Sequence, residues 1–105
     1  MSHEEASKEP EVTREENASK GRYGARLDGV EAEMTYSLAG GHTMIIDHTG
    51  VPDALRGRGV GQALVRRAVE DARREKRRIV PLCPFAKAQI ARHAEWQDVL
   101  ERSPE

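Results

Sequence analysis

Glycine stands at every second position in Arg56-Gly57-Arg58-Gly59-Val60-Gly61, and the residues that follow take up helical spacing at once. That arrangement constrains the fold more than any other feature of the chain. Glycine allows dihedrals that other residues resist and lets a ligand come close to the backbone. The first amides of a helix have no intrahelical acceptor, and the aligned peptide dipoles place positive potential around them. Arg56 and Arg58 add full charges, so the chemistry favours a pyrophosphate. Two other nucleotide loops do not fit: the Lys-Ser/Thr ending of a P-loop is absent, and the glycine spacing is not Gly-x-Gly-x-x-Gly. The pattern that does fit is Arg/Gln-x-x-Gly-x-Gly/Ala, through Arg56, Gly59 and Gly61.

Around this loop the chain alternates between two periodicities. Tyr23, Ala25 and Leu27 alternate with polar or small residues before Asp28-Gly29, a favoured hairpin turn, which predicts a first strand from about Arg22. Ala32, Met34, Tyr36 and Leu38 then share one face, with Glu31, Glu33, Thr35 and Ser37 on the other, predicting a second strand. After Gly40-Gly41, residues 42–51 predict a third, with Met44, Ile46 and His48 on one side and Asp47 opposite. From Gly61 to about Lys76 the apolar positions Leu64, Val65, Ala68 and Ala72 form a helical stripe, with the charged residues, Asp71 among them, elsewhere. Ile79 to Leu82 reads as a short buried strand, Pro84 suits the first turn of a second helix, and Trp96, Val99 and Leu100 are expected to pack back on the core. The expected fold class is α/β (α+β): one compact domain in the order β-β-β-α-β-α, with two main helices on a mostly antiparallel sheet.

Composition narrows the function classes. A chain of 105 residues supports one core and excludes two catalytic domains. Its net charge of -1 hides an uneven spread, with six acids against three bases in residues 1–20 and nine bases against three acids in residues 56–78. The first stretch has only Met1 and Val12 as large apolar residues, which predicts a disordered acidic tail over residues 1–20, with the domain over residues 21–105. The basic run Arg73, Arg74, Lys76, Arg77 and Arg78 has acidic neighbours at helical spacing and no interleaved aromatics, so it reads as a solvated helix end rather than a nucleic-acid surface. No apolar run approaches a membrane span, and the N-terminus lacks a secretory layout, which sets a cytoplasmic expectation. Cys83 is the sole cysteine, and the dispersed histidines give no metal motif.

The loop resembles the cofactor signature of the GNAT superfamily of N-acetyltransferases, which binds the pyrophosphate of acetyl-CoA. The runs His48-Thr49, Val51-Pro52, Leu55-Arg56-Gly57-Arg58-Gly59, Val80-Pro81-Leu82-Cys83-Pro84-Phe85 and His93-Ala94-Glu95-Trp96 are similar to its small YjdJ-type branch, over roughly residues 22–100. The resemblance implies an acyl-CoA-dependent N-acyltransferase that carries acetyl from acetyl-CoA to an unidentified amine. The cofactor-contacting set it implies is Val51, Arg56, Gly57, Arg58, Gly59, Val60, Gly61, Gln62 and Phe85. Because the branch lacks flanking elements, it also implies an open acceptor side that a macromolecular acceptor or a second subunit of a homodimer could complete.

Two side chains are the expected catalytic residues. Cys83 sits where the last strand meets the second helix, and a thiol near a helix N-terminus loses its proton more readily. It would serve as a nucleophile or as a small buried hydrophobe beside the cofactor channel. His48, on the Met44 and Ile46 face, would serve as the general base or as a hydrogen-bonded packing residue on that face. The resemblance implies an acid, carried by many relatives in the branch, where this chain has Gly50, and the second helix lacks the tyrosine that many GNAT enzymes use as general acid. Those two departures keep a non-catalytic acyl-CoA-binding module as the alternative.

Overall fold

The structure is a computed structural model that describes residues 10–101. It contains β1 (Glu11–Glu16), β2 (Lys20–Leu27), β3 (Val30–Ala39), β4 (Thr43–Gly50), α1 (Val60–Glu75), β5 (Arg78–Pro81) and α2 (Pro84–Ala91), with short 3-10 segments at Asp53–Leu55 and Ala94–Val99. The five strands form one sheet in sequence order, antiparallel from β1 to β4 and parallel between β4 and β5.

Local sequence explains most of these elements. Asp28 and Gly29 both take positive φ, 53° and 78°, so a two-residue turn joins β2 to β3 with Leu27 opposite Val30. On β3, Ala32, Met34 and Tyr36 are buried while Glu31, Glu33, Thr35 and Ser37 lie on the other face. The α1 stripe of Leu64, Val65, Ala68 and Ala72 is buried against the same side of the sheet, where Tyr23, Ala25, Met44, Ile46 and Ile79 meet it. Lys76 closes α1 in the left-handed conformation, its amide turned back to Ala72 and Arg73. Trp96 and Val99 fold back onto this core as the sequence predicts. Both helices therefore cover one face of the sheet, and the other presents Arg22, Glu31, Glu33, Thr35 and Ser37.

Three expectations need correction. The tail expected over residues 1–20 is ordered from its eleventh residue onward: β1 pairs along its whole length with β2, from Glu11 opposite Arg26 to Glu16 opposite Gly21. Residues 1–9 lie outside the described residues. Apolar content missed β1 because charge anchors it. Arg14 donates to Asp71 at 3.1 Å and to Glu75 at 2.7 Å, and Arg77 donates to Glu16 at 2.9 Å, while Val12 supplies the apolar contact. A strand is thus added at the front of the expected order.

The second correction concerns Asp71, which the sequence places with the solvated residues of α1 and which is fully buried. It accepts hydrogen bonds from the Tyr23 hydroxyl at 2.8 Å and from Arg67 and Arg14 at 3.1 Å, and it also pairs with Arg74. Burial pushes its carboxyl up, but these donors outweigh burial and hold it below the usual carboxylate range. The third correction is the alternation of β4. Thr35 lies opposite His48 and Tyr36 opposite Ile46, so Asp47 is an extra residue in the ladder. The bulge reverses the phase beyond it. His48 is exposed on the outer face rather than beside Met44 and Ile46, and Thr49, opposite the buried Met34, takes the inner face.

Candidate active site

The parallel pairing of β4 and β5 is short. Thr43 to Ile46 pair with Arg78 to Pro81, and then the amides of Leu82 and Cys83 both turn to the carbonyl of Ile46 at 3.1 Å. From there β5 leaves for α2 while β4 continues through Asp47 to Gly50. The divergence opens a notch in the sheet on the side where α1 begins.

A cleft of about 630 Å³ fills this region. The loop contributes Arg56, Gly57, Gly59, Gly61 and Gln62, and β4 with its exit contributes Thr49 and Val51. Phe85 and Gln89 of α2 and the buried Leu55 close it. Of the residues expected around the cofactor, Val60 is buried in the first turn of α1 and Arg58 points elsewhere, donating to Asp28 at 2.8 Å. Neither lines the cleft. Thr49, Leu55 and Gln89 line it although the sequence assigned none of them to the cofactor-contacting set.

The floor of the cleft is the start of α1. Gly59 occupies the N-cap at φ 79°, a conformation that favours glycine, and no side chain caps the helix there. The first turn carries no acid, and the first helical hydrogen bond runs from the amide of Ala63 to the carbonyl of Gly59. The amides of Val60, Gly61 and Gln62 precede it and have no intrahelical acceptor. Gly61 meets a different demand: a Cβ there would stand 2.4 Å from Cζ of Phe85, so the aromatic wall lies directly on the backbone. Arg56, paired at 3.2 Å with the exposed Asp53, has its guanidinium at the rim.

Gln62 is steadied from outside the cleft. The His93 ring stacks on Trp96 with centroids 3.9 Å apart, and its Nδ1 lies 2.8 Å from the carbonyl of Gln89, so Nδ1 carries the proton in the neutral ring. Its Nε2 then faces the Gln62 amide nitrogen at 3.4 Å. His93 thus acts through packing and a second contact.

Cys83 and His48, the two expected catalytic residues, lie on opposite sides of the sheet. Cys83 is the N-cap of α2, is 5% exposed, and does not line the cleft. Its Sγ lies 3.3 Å from Oγ1 of Thr49, which does. Burial raises the thiol pKa, but the Thr49 hydroxyl and the amides of Ala86 and Phe85 outweigh it, leaving the thiol below its ordinary value. His48 reaches back over the end of β4: a Cβ on Gly50 would lie 3.3 Å from its Nε2. Among the described residues no cluster of His, Cys, Asp and Glu suits a metal ion, and no helix is long and apolar enough to cross a membrane.

Comparison with known proteins agrees with this geometry. A family model for GCN5-related N-acetyltransferases matches residues 22–99. A GCN5-like protein from Staphylococcus aureus, solved by NMR, superposes with a TM-score of 0.65 at 34% identity, over 90% of this chain and 91% of that one. Ribosomal-protein-alanine N-acetyltransferase from Brucella melitensis shares the fold, with a TM-score of 0.59 at 18% identity over 85% of this chain and 67% of that one. Protein NATD1 of Xenopus tropicalis is 34% identical over 58 residues, a match spanning 53% of this chain and 53% of that relative's length. With the family match covering most of the chain and the notch, uncapped helix and glycine loop in their places, the protein belongs to the GCN5-related N-acetyltransferase family.

Proposed function

We propose that this protein transfers an acetyl group from acetyl-CoA to an amine. The observation that carries the reading is the cleft, with an uncapped helix N-terminus at one end and, at the other, the continuation of β4 whose edge toward β5 is left unpaired. The amides of Val60, Gly61 and Gln62, with Arg56 at the rim, would hold the pyrophosphate. The freed backbone of residues 47–50 offers an extended pantetheine arm the hydrogen bonds that β5 no longer makes. Phe85 and Val51 would pack on the arm, and the thioester would come to rest beside Thr49. Helices cover the inner face of the sheet, so the amine would arrive from the outer face, where the exposed His48 would take its proton.

The alternative of a binding module without turnover draws on one fact. Both tyrosines of the chain, Tyr23 and Tyr36, are buried in the core, away from the cleft. A thermal-shift titration with acetyl-CoA, CoA and ATP tests the cofactor. Acetyl-CoA and CoA are expected to stabilise the fold, by about 2.7 kcal/mol at a hundredfold excess over Kd, and ATP is expected to do much less. No shift with either CoA form would overturn the reading. Thiol release from acetyl-CoA across a panel of primary amines separates the enzyme from the binding module.

The ion pair between Arg58 and Asp28 leads to a further expected result. Asp28 competes with a bound phosphate for the Arg58 guanidinium, so Asp28→Asn is expected to tighten CoA binding about two- to fivefold at low salt, in keeping with an exposed pair. Asparagine tolerates the positive φ of this turn position, so the hairpin is retained. Calorimetric titration at low and high ionic strength checks it, because salt should erase the difference.

A further inference from the structure

Breaking a thioester leaves a thiolate that needs a proton, and no tyrosine stands in the cleft to supply one. From the geometry of the inner face we infer that Thr49 is a catalytic residue, passing its hydroxyl proton to the departing CoA sulfur while Cys83 behind it passes a proton to Thr49. This inference rests on the acetyl-CoA reading above and assigns the leaving-group step within it.

Three features carry it. The bulge at Asp47 turns Thr49 to the inner face, where it lines the cleft. The thiol of Cys83 donates to Thr49 Oγ1 at 3.3 Å, which leaves the hydroxyl hydrogen of Thr49 free to point into the cleft. Cys83 itself is buried and absent from the cleft lining, so it reaches a substrate through Thr49 and acts as the positioning and proton-holding partner, not as the nucleophile. The direction of transfer is favourable as well. The Cys83 thiol sits below its ordinary pKa, because the Thr49 hydroxyl and the helix amides stabilise its anion against the opposing effect of burial. An ordinary alkyl thiolate therefore takes a proton from it downhill.

The step balances as follows. The amine nitrogen, after losing a proton to His48, forms a bond to the acyl carbon, and the carbon–sulfur bond breaks with its electron pair on sulfur. The Thr49 hydroxyl proton moves to that sulfur and the Cys83 proton moves to Thr49 Oγ1. The new Thr49 hydroxyl then points back and donates to the Cys83 thiolate. His48 passes its first proton to water and then carries the second nitrogen proton out in the same way, and Cys83 recovers its own proton from water.

Thr49→Val keeps the branched shape of the side chain and removes the hydroxyl, whereas Thr49→Ser keeps the hydroxyl. The ultraviolet titration of the Cys83 thiolate reads the coupling without any turnover. Thr49→Val is expected to raise the thiol pKa by about one unit, and Thr49→Ser to leave it near wild type. With acetyl-CoA and ethylenediamine as the probe amine, Thr49→Val is expected to lower kcat roughly a hundredfold with little change in the KM for acetyl-CoA, and Thr49→Ser is expected to restore most of the rate. An unchanged thiol titration in Thr49→Val would overturn the inference, and so would an acetyl group found on Cys83 by mass spectrometry during turnover. Stabilisation by acetyl-CoA, measured in parallel on wild type and Thr49→Val, keeps the two levels apart: its absence in the wild type counts against the cofactor reading, and its retention beside an unmoved thiol counts against the relay alone.

Discussion

Replacing Asp71 with alanine is expected to destabilise the protein by about 3–5 kcal/mol, because it strips a buried cluster of its only fully buried anion. Arg14, with a side chain 15% exposed, would keep Glu75 and Glu16 but lose the carboxylate beneath it, and the Tyr23 hydroxyl would be left buried without an acceptor. For a domain of this size each kcal/mol moves Tm by roughly 4 °C or more, so a fall well beyond about 10 °C is expected in a thermal melt. Asp71→Asn keeps an acceptor for Tyr23 and should fall between the two. Acid provides a second measurement of the same cluster. Arg77, Tyr36 and Arg14 hold Glu16 down to about 2, against the opposing effect of burial. A depressed carboxyl contributes stability that is present above its unfolded value and lost as pH falls toward its folded one. Stability is therefore expected to decline from about pH 4.5 down to about pH 2, with β1 amides losing exchange protection early, and the Asp71→Ala protein should show a shallower decline.

Gly61→Val is expected to abolish the thermal shift with acetyl-CoA. A Cβ at that position falls 2.4 Å from the Phe85 ring, so the ring must swing away or α1 must move. Phe85 is a wall of the cleft, and valine methyls would also stand beside the amides of the first turn. A loss of two orders of magnitude or more in CoA affinity is expected, roughly 2.7 kcal/mol or above, from two disrupted features at once. Gly61→Ala should show the same loss in part. A CoA Kd within threefold of wild type for Gly61→Val, in a variant whose melt remains cooperative, would contradict the cleft geometry.

The parts legible in the sequence are those where neighbouring residues decide the outcome. Asp28-Gly29 specifies its hairpin, the spacing of Leu64, Val65, Ala68 and Ala72 specifies a helix, and the glycine loop specifies where a ligand can meet that helix. The features that escaped depend on partners far along the chain. β1 carries almost no apolar signal because Arg14 finds its partners Asp71 and Glu75 on α1. Asp71 looks like a surface residue on a helical wheel until Tyr23 and Arg14 close over it. The inward placement of Thr49 was hidden by a bulge. Its only trace was the doubled polar pair His48-Thr49, where strict alternation could not bury both.

That single supernumerary residue in β4 makes the site depend on how the strand is paired. Were Asp47 drawn into the ladder as an ordinary paired residue, the phase beyond it would reverse: the imidazole of His48 would turn inward toward the cleft, and the hydroxyl of Thr49 out into water. Every side chain would still be present, in the same order along the chain, with the proposed acid and base exchanged across the sheet. Deleting Asp47 would instead leave both side chains on their present faces, so it is the bulge that decides which side of the sheet each group meets.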